Sequence, residues 1–132
     1  TDLCEKALTT AKEGIYSQVE VQRGLPIQVL LKYFTQQEGN RWQVQDHLKK
    51  YIRFDRHNLL EDASYLGRFD IVFCRNVLIY FSTERKSDIL RKIHKVLKPG
   101  GYLLLGASES IGNLNDLFDM VHCRPGIIYK AK

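Results

Sequence analysis

The chain has 132 residues, 44% of them apolar and 27% charged, which is the length and composition of a single globular domain. No apolar run approaches the ~20 residues needed to cross a bilayer, and Thr1-Asp2-Leu3-Cys4-Glu5 lacks the basic and apolar regions of a signal peptide. The net charge of +5 is modest and excludes a strongly acidic or strongly basic protein.

Residues 3–12 are predicted to be a helix, because Leu3, Ala7, Leu8 and Ala11 recur at helical spacing and Gly14 is placed to end it. Asp2 and Glu5 have the spacing of a capping box. Residues 15–17 then read as an extended connection. Residues 25–34 form a second predicted helix, with Pro26 in its first turn and Val29, Leu30, Tyr33 and Phe34 as its apolar stripe. The polar, glycine-containing stretch 36–41 reads as a hairpin turn, and the alternation in 42–45 as a half-exposed strand. An antiparallel piece of this kind is foreign to a βαβ pattern and predicts a small inserted subdomain at about residues 15–50.

A strand is predicted over 51–54, and another over 69–74, where Ile71, Val72 and Phe73 make a run suited to burial. Arg75 and Asn76 follow at its carboxyl end. Ligands of open parallel sheets sit beyond such ends, so these two polar groups mark a candidate site. The clearest helix covers 83–97, with Ile89, Leu90, Ile93, Val96 and Leu97 on one face and Pro99-Gly100-Gly101 as its stop. Residues 102–106 read as a buried strand ending at Ala107-Ser108-Glu109-Ser110. Strands over 118–123 and 127–130, joined by Arg124-Pro125-Gly126, are close enough only for an antiparallel hairpin. The order describes an α/β fold with a mainly parallel sheet closed by one reversed strand.

Cys4, Cys74 and Cys123 are odd in number and form no C-x-x-C pair, and the histidines form no H-x-x-x-H pair. The expectation is free thiols in a reducing cytoplasm, no disulfide framework and no metal site. Two basic segments, 41–56 and 85–98, read singly as solvated faces and together as a surface for an acidic partner. No motif points to nucleic acid.

F-D-I-V-F-C-R-N-V-L-I-Y-F, the L-K-P-G-G that ends the long helix, and Y-L-L-L-G-A-S-E-S closely resemble the chemotaxis-receptor glutamate O-methyltransferases, the CheR family. T-D-L, G-I-Y and H-N-L fit as well, so the resemblance covers essentially the whole chain. L-K-P-G-G is common to many methyltransferases, whereas C-R-N-V-L-I-Y-F together with G-A-S-E-S is far more specific. The resemblance implies a Rossmann-like S-adenosylmethionine-dependent methyltransferase fold, whose sheet ends in such a hairpin. It also implies a cytoplasmic enzyme that methylates glutamate side chains on the helical cytoplasmic region of chemoreceptors. An ionised carboxylate is already a nucleophile, so positioning and exclusion of water supply most of the acceleration.

The resemblance assigns Asp2 to the ribose hydroxyls of S-adenosylmethionine, a charged hydrogen bond worth roughly 1.5–3 kcal/mol. An N-cap worth about 1 kcal/mol fits Asp2 equally well. Asn58 and Leu59 match the pair that contacts adenine, with an Asx turn and a core leucine as the structural alternative. Arg75 and Asn76 match the loop at the methionine end of the cofactor. Tyr80 matches an aromatic residue near the transferred methyl, where it would orient the acceptor carboxylate; a packed core tyrosine fits as well. Ser108 and Glu109 line the same crevice without an assigned role.

The chain departs from the family in two respects. Its nine glycines contain no G-x-G-x-x-G, and no candidate strand precedes Asp2. The expectation is the C-terminal part of a methyltransferase domain, binding S-adenosylmethionine poorly and inactive by itself, with an open strand edge that invites pairing. The turn between Phe34 and Trp42 is also short, which favours direct recognition of the methylation region over capture of a receptor tail peptide. A methyltransferase of other specificity and a non-catalytic module with this fold are the competing readings.

Overall fold

The computed structural model describes residues 1–124 and 126–132, which form two units, Thr1–Asn58 and Leu59–Lys132. In the first, α1 (Glu5–Glu13) buries Leu8 and ends at Gly14, whose left-handed backbone (φ 67°) lets its N–H close on the Thr10 carbonyl at 2.8 Å. The predicted capping box does not form. Cys4 is the N-cap, and Asp2 lies further out, its carboxylate accepting from the Cys4 N–H at 2.8 Å. Its backbone is held extended by a parallel bridge to Arg56, which removes Asp2 from the helix end.

The connection at 15–17 is a strand, β1 (Ile15–Ser17), followed by a short helix that the periodicity did not predict, α2 (Gln18–Gln22). A reciprocal box between Ser17 and Glu20 starts α2, the Ser17 N–H donating to the Glu20 carboxylate at 2.8 Å. The second predicted helix is shorter than expected, α3 (Ile27–Tyr33), and Pro26 caps it instead of entering its first turn. β2 (Phe34–Gln37) and β3 (Arg41–Val44) form the hairpin, with Gly39 and Asn40 at positive φ in its turn. The sheet is antiparallel in the order β1-β3-β2. Trp42, Val21 and Leu30 form its small core, and the Trp42 indole N–H donates to Gln18.

After α4 (Asp46–Lys49), residues 51–54 are not the predicted strand. The Tyr51 and Ile52 N–H groups turn back to the carbonyls of Leu48 and Lys49, and the Tyr51 side chain is exposed. A strand requires a ladder of partners, and among the described residues 51–54 has none, the nearest pairing being the isolated bridge of Arg56 to Asp2.

The second unit contains β4 (Phe69–Cys74), α5 (Thr83–Val96), β5 (Leu97–Leu105), β6 (Phe118–Cys123) and β7 (Gly126–Ala131). The strand order is β4-β5-β7-β6; β4 and β5 are parallel, and β7 runs antiparallel to both of its neighbours. The predicted turn Arg124-Pro125-Gly126 includes Pro125, outside the described residues; Cys123 and Gly126 on either side of it are paired. Ser82 caps α5, accepting from the Arg85 N–H, and Ile89, Leu90, Ile93 and Val96 form the predicted stripe. Ile89, Leu90 and Ile93 pack with Leu97, Leu103, Phe118 and Tyr129 in one apolar cluster.

Two details position the site. β5 begins before the K-P-G-G turn, with Leu97 opposite Phe69, so the register shifts where Gly101 passes the Asp70 carbonyl. β4 is an edge strand of this sheet. Val72 and Cys74 face the cluster, whereas Ile71 and Phe73 on the other face are 51% and 69% exposed, so β4 is covered on one side only among the described residues.

A Cβ at Gly101 would stand 2.9 Å from the Lys98 carbonyl oxygen and 3.0 Å from that of Asp70, both backbone atoms that cannot swing aside. Gly101→Ala is expected to destabilise the protein by about 1–3 kcal/mol in denaturant titration. Gly126→Ala, where a Cβ meets nothing within 4 Å, should change stability by less than about 0.5 kcal/mol.

Candidate functional site

Arg75 and Asn76 emerge directly from the carboxyl end of β4. Asn76 takes the left-handed conformation (φ 59°), which asparagine tolerates better than most side chains. This turns the chain into a single 3-10 turn, Leu78–Tyr80, anchored by the buried Leu78. Arg75, Asn76 and Tyr80 are therefore brought onto one exposed loop, with Tyr80 80% accessible. The Arg75 guanidinium and the Tyr80 hydroxyl have no hydrogen-bond partner among the described residues, so both are available to a bound molecule.

The loop is held by Glu109, at the carboxyl end of the neighbouring β5. Its Oε2 accepts from the N–H groups of Asn76 and Gly106, both at 2.7 Å. Its Oε1 accepts from Val77 at 2.9 Å, Leu78 at 2.8 Å and Ile79 at 3.4 Å. Burial pushes this carboxyl up, but the backbone N–H groups of Asn76, Gly106, Leu78 and Ile79 outweigh it and leave it below its ordinary value of 4.5. Glu109 is thus an anion neutralised by amides, unsuited to act as a base. A Cβ at Gly106 would collide with the Asn76 amide oxygen and stand 2.6 Å from Glu109 Oε2, so this position requires glycine. Burial first, and then the Glu109 charge, push the Cys74 thiol up to about 11, which keeps it protonated and unreactive at neutral pH.

Sequence reasoning placed Glu109 at the crevice and missed what it does. The available signal was a carboxylate just past a strand-ending glycine, beside a strand end whose loop amides have no ladder partner.

Next to the loop lies a cleft of about 280 Å³. Thr83, Lys86 and Ser87 of α5 line one side, and Ser108, Ser110 and Asn113 the other. With the Glu109 charge satisfied by amides, the polar part of the lining offers hydroxyls, an amide and one ammonium, beside the apolar Leu78, Ile79, Leu90 and Ile111, a chemistry suited to a carboxylate on an apolar stem.

In the first unit, the bridge between Asp2 and Arg56 brings Asp2 beside the stretch that leads into Asn58, the His57 N–H donating to the Asp2 carbonyl at 3.0 Å. One Asp2 carboxylate oxygen receives the Cys4 N–H, and the other has no partner among the described residues. Leu59 belongs to the second unit and packs, partly buried, on its apolar cluster. Asp2 and Asn58 thus lie in one unit and Leu59, Arg75, Asn76 and Tyr80 in the other. Among the described residues no three acidic, histidine or cysteine side chains converge as a metal site, and no helix is long and apolar enough to cross a membrane.

The family described as CheR methyltransferase, SAM binding domain, matches residues 1–127. The chain is 52% identical over 132 residues to chemotaxis protein methyltransferase 1 of Pseudomonas aeruginosa, covering 100% of this chain and 48% of that protein. Against chemotaxis protein methyltransferase 1 of Vibrio cholerae the identity is 48% over 132 residues, with the same coverage of 100% and 48%. A chemotaxis protein methyltransferase of Borreliella burgdorferi is 38% identical over 117 residues, covering 87% of this chain and 41% of that protein. The chain spans about half the length of the curated relatives it matches.

Because the Glu109 carboxyl is lowered in the folded state, its contribution is present above the unfolded carboxylate range and is lost as pH falls through the folded value. Glu109→Gln is expected to cost about 2 kcal/mol of stability at pH 7. Denaturant titrations of both proteins at lower pH should show this difference shrinking once the pH passes below about 4. A difference that stays constant down to pH 3 would mean that the charge is not what holds the loop.

Proposed function

The chain belongs to the CheR methyltransferase family, over its S-adenosylmethionine-binding domain, and on that premise we propose that the protein containing it methylates glutamate side chains of chemoreceptors. The product is a glutamate methyl ester, made in the cytoplasm on the helical region of the receptor. One observation carries this reading. The two segments most specific to the family, C-R-N-V-L-I-Y-F and G-A-S-E-S, meet through the Glu109 carboxylate at the carboxyl ends of parallel β4 and β5. Ligands of open α/β sheets bind at such an edge.

The residues present fit the cofactor. Arg75 has a guanidinium without a partner among the described residues, matched to the carboxylate at the methionine end. Asp2 has one uncommitted carboxylate oxygen, matched to the ribose hydroxyls. Asn58 and Leu59 are matched to the adenine, and Asn76 to the methionine end. When bound, S-adenosylmethionine supplies an electrophilic methyl group on a positively charged sulfur. The chain's own contribution is to orient and to exclude water. Tyr80, exposed at the end of the 3-10 turn, is assigned to orient the acceptor carboxylate, which is ionised at neutral pH and needs no base.

Residues 1–132 alone are proposed to bind the cofactor poorly and to lack turnover. The outer edge of β4 has no partner strand among the described residues, and Ile71 and Phe73 stand exposed on its face. Parallel sheets are normally covered on both faces and paired at such edges, so partner backbone and a covering layer are needed there to complete the sheet edge that carries the site.

Incubating the natural, full-length protein with tritiated S-adenosylmethionine and receptor-bearing membranes should label the receptors, and mild base should release the label as methanol. Base-stable label, or label on another protein, would assign a different acceptor. Calorimetric titration of residues 1–132 by themselves should give no micromolar binding; a micromolar dissociation constant would show that the site is complete in this chain.

A further inference from the structure

We propose that Glu109 is a positioning residue of the cofactor site, setting its affinity for S-adenosylmethionine by holding residues 75–79 in the binding conformation while touching neither cofactor nor acceptor. The proposal rests on the assignment of Arg75 and Asn76 to the methionine end of the cofactor.

Apart from Val77, Leu78 and Phe81, which pack on the apolar cluster, the loop has few contacts to hold its exposed part. Between the end of β4 and the start of α5 its internal backbone bonds are from Tyr80 to Val77 at 3.3 Å and from Phe81 to Leu78 at 3.0 Å. Arg75, Asn76, Ile79 and Tyr80 are exposed, and Leu78 is its one fully buried side chain. Asn76 sits in a left-handed conformation, which asparagine tolerates better than most side chains but which still costs more than ordinary backbone. Against this stand the N–H groups of four consecutive residues, Asn76 to Ile79, all directed at one carboxylate. Successive amides converging on an anion form a nest, a backbone concavity that binds negative charge.

The anion is fixed from the opposite side. Glu109 Oε2 also accepts from the Gly106 N–H at 2.7 Å, and the Glu109 N–H donates to the Gly106 carbonyl at 3.0 Å, so the carboxylate is tied to the end of β5. β5 is paired on both sides, to β4 and to β7, and Leu103 within it is fully buried. Glu109 thus transfers the rigidity of a central strand to a loop on an edge strand. Remove its charge, and the loop must be ordered by the cofactor itself, which lowers apparent affinity by the fraction of time the loop is competent. The transfer step, which follows once the loop is ordered, is left largely intact. This separates positioning from catalysis.

Glu109→Gln and Glu109→Asp in the full-length protein test the inference, with Ser82→Ala as a comparison. Ser82 caps α5 next to the same loop and does not touch Glu109. Glu109→Gln is expected to raise the KM and the dissociation constant for S-adenosylmethionine about tenfold, with kcat within about threefold. Glu109→Asp keeps the charge on a shorter stem and should recover part of the affinity. Ser82→Ala should lower the melting temperature and leave the KM unchanged. If Glu109→Gln does not fold, the Glu109→Asp values carry the test, a KM raised above wild type with kcat within about threefold supporting the proposal and a wild-type KM overturning it. Equal cofactor binding by wild type and Glu109→Gln, a fall confined to kcat, or an equal rise in KM for Ser82→Ala would overturn it too. A wild-type protein that binds no S-adenosylmethionine would instead overturn the functional reading on which the proposal stands, an outcome distinct from equal binding by the two proteins.

Discussion

One carboxylate surrounded by five backbone N–H groups ties together the two ends of sheet from which the candidate site is built. The need for it follows from parallel pairing. Adjacent parallel strands leave the sheet at the same edge, and each connection carries amides that have lost their ladder partners. Beyond β4 those amides belong to Asn76, Val77, Leu78 and Ile79, and beyond β5 to Gly106. An ionised side chain with two oxygens can satisfy all of them, whereas neutral acceptors would be needed in greater number. Several other features are consequences. Asn76 is left-handed so that its N–H turns inward, position 106 must lack a Cβ, and the Cys74 thiol is raised partly because this charge lies close.

The basic residues divide by what the fold does with them. Lys98 reaches across to both oxygens of Asp70 at 2.8 and 2.9 Å, fastening the turn after α5 to β4 and lowering the Asp70 carboxyl through a hydrogen bond and an attractive charge. Lys92 donates to the Leu60 carbonyl. Lys86 lines the cleft beside the loop, and Arg75 stands without a partner among the described residues. Arg75 and Lys86 thus bring positive charge to the candidate site.

Much of the second unit was legible because its signals are local or periodic. The boundaries of β4 were read from a run of β-branched and aromatic residues, α5 from five apolar positions on one face, and the β6–β7 hairpin from a connection too short for a crossover. α2 had a local signal as well, the Ser17-x-x-Glu20 box, which apolar periodicity alone passes over in a five-residue helix. The false strand at 51–54 shows the opposite error. Its composition suits a strand, but a strand exists only where another backbone lies alongside, and composition carries no information about that.

By itself, the sequence determined the long helix and the strands of the second unit, except that β5 starts at Leu97 where a helix end and its stop were expected, and it determined the family and the residues that face the carboxyl edge of the sheet. These rest on side-chain pattern and on motifs contiguous along the chain. Only the tertiary structure decided that Asp2 is held by a bridge to Arg56 and is not part of a capping box, that one face of β4 is open, and that Glu109 holds the loop of Arg75 and Asn76. Each depends on groups 30 or more positions apart, as with Asn76 and Glu109, whose separation in sequence is 33. A carboxylate's role is set by which amides surround it, and those are chosen by how strands pair.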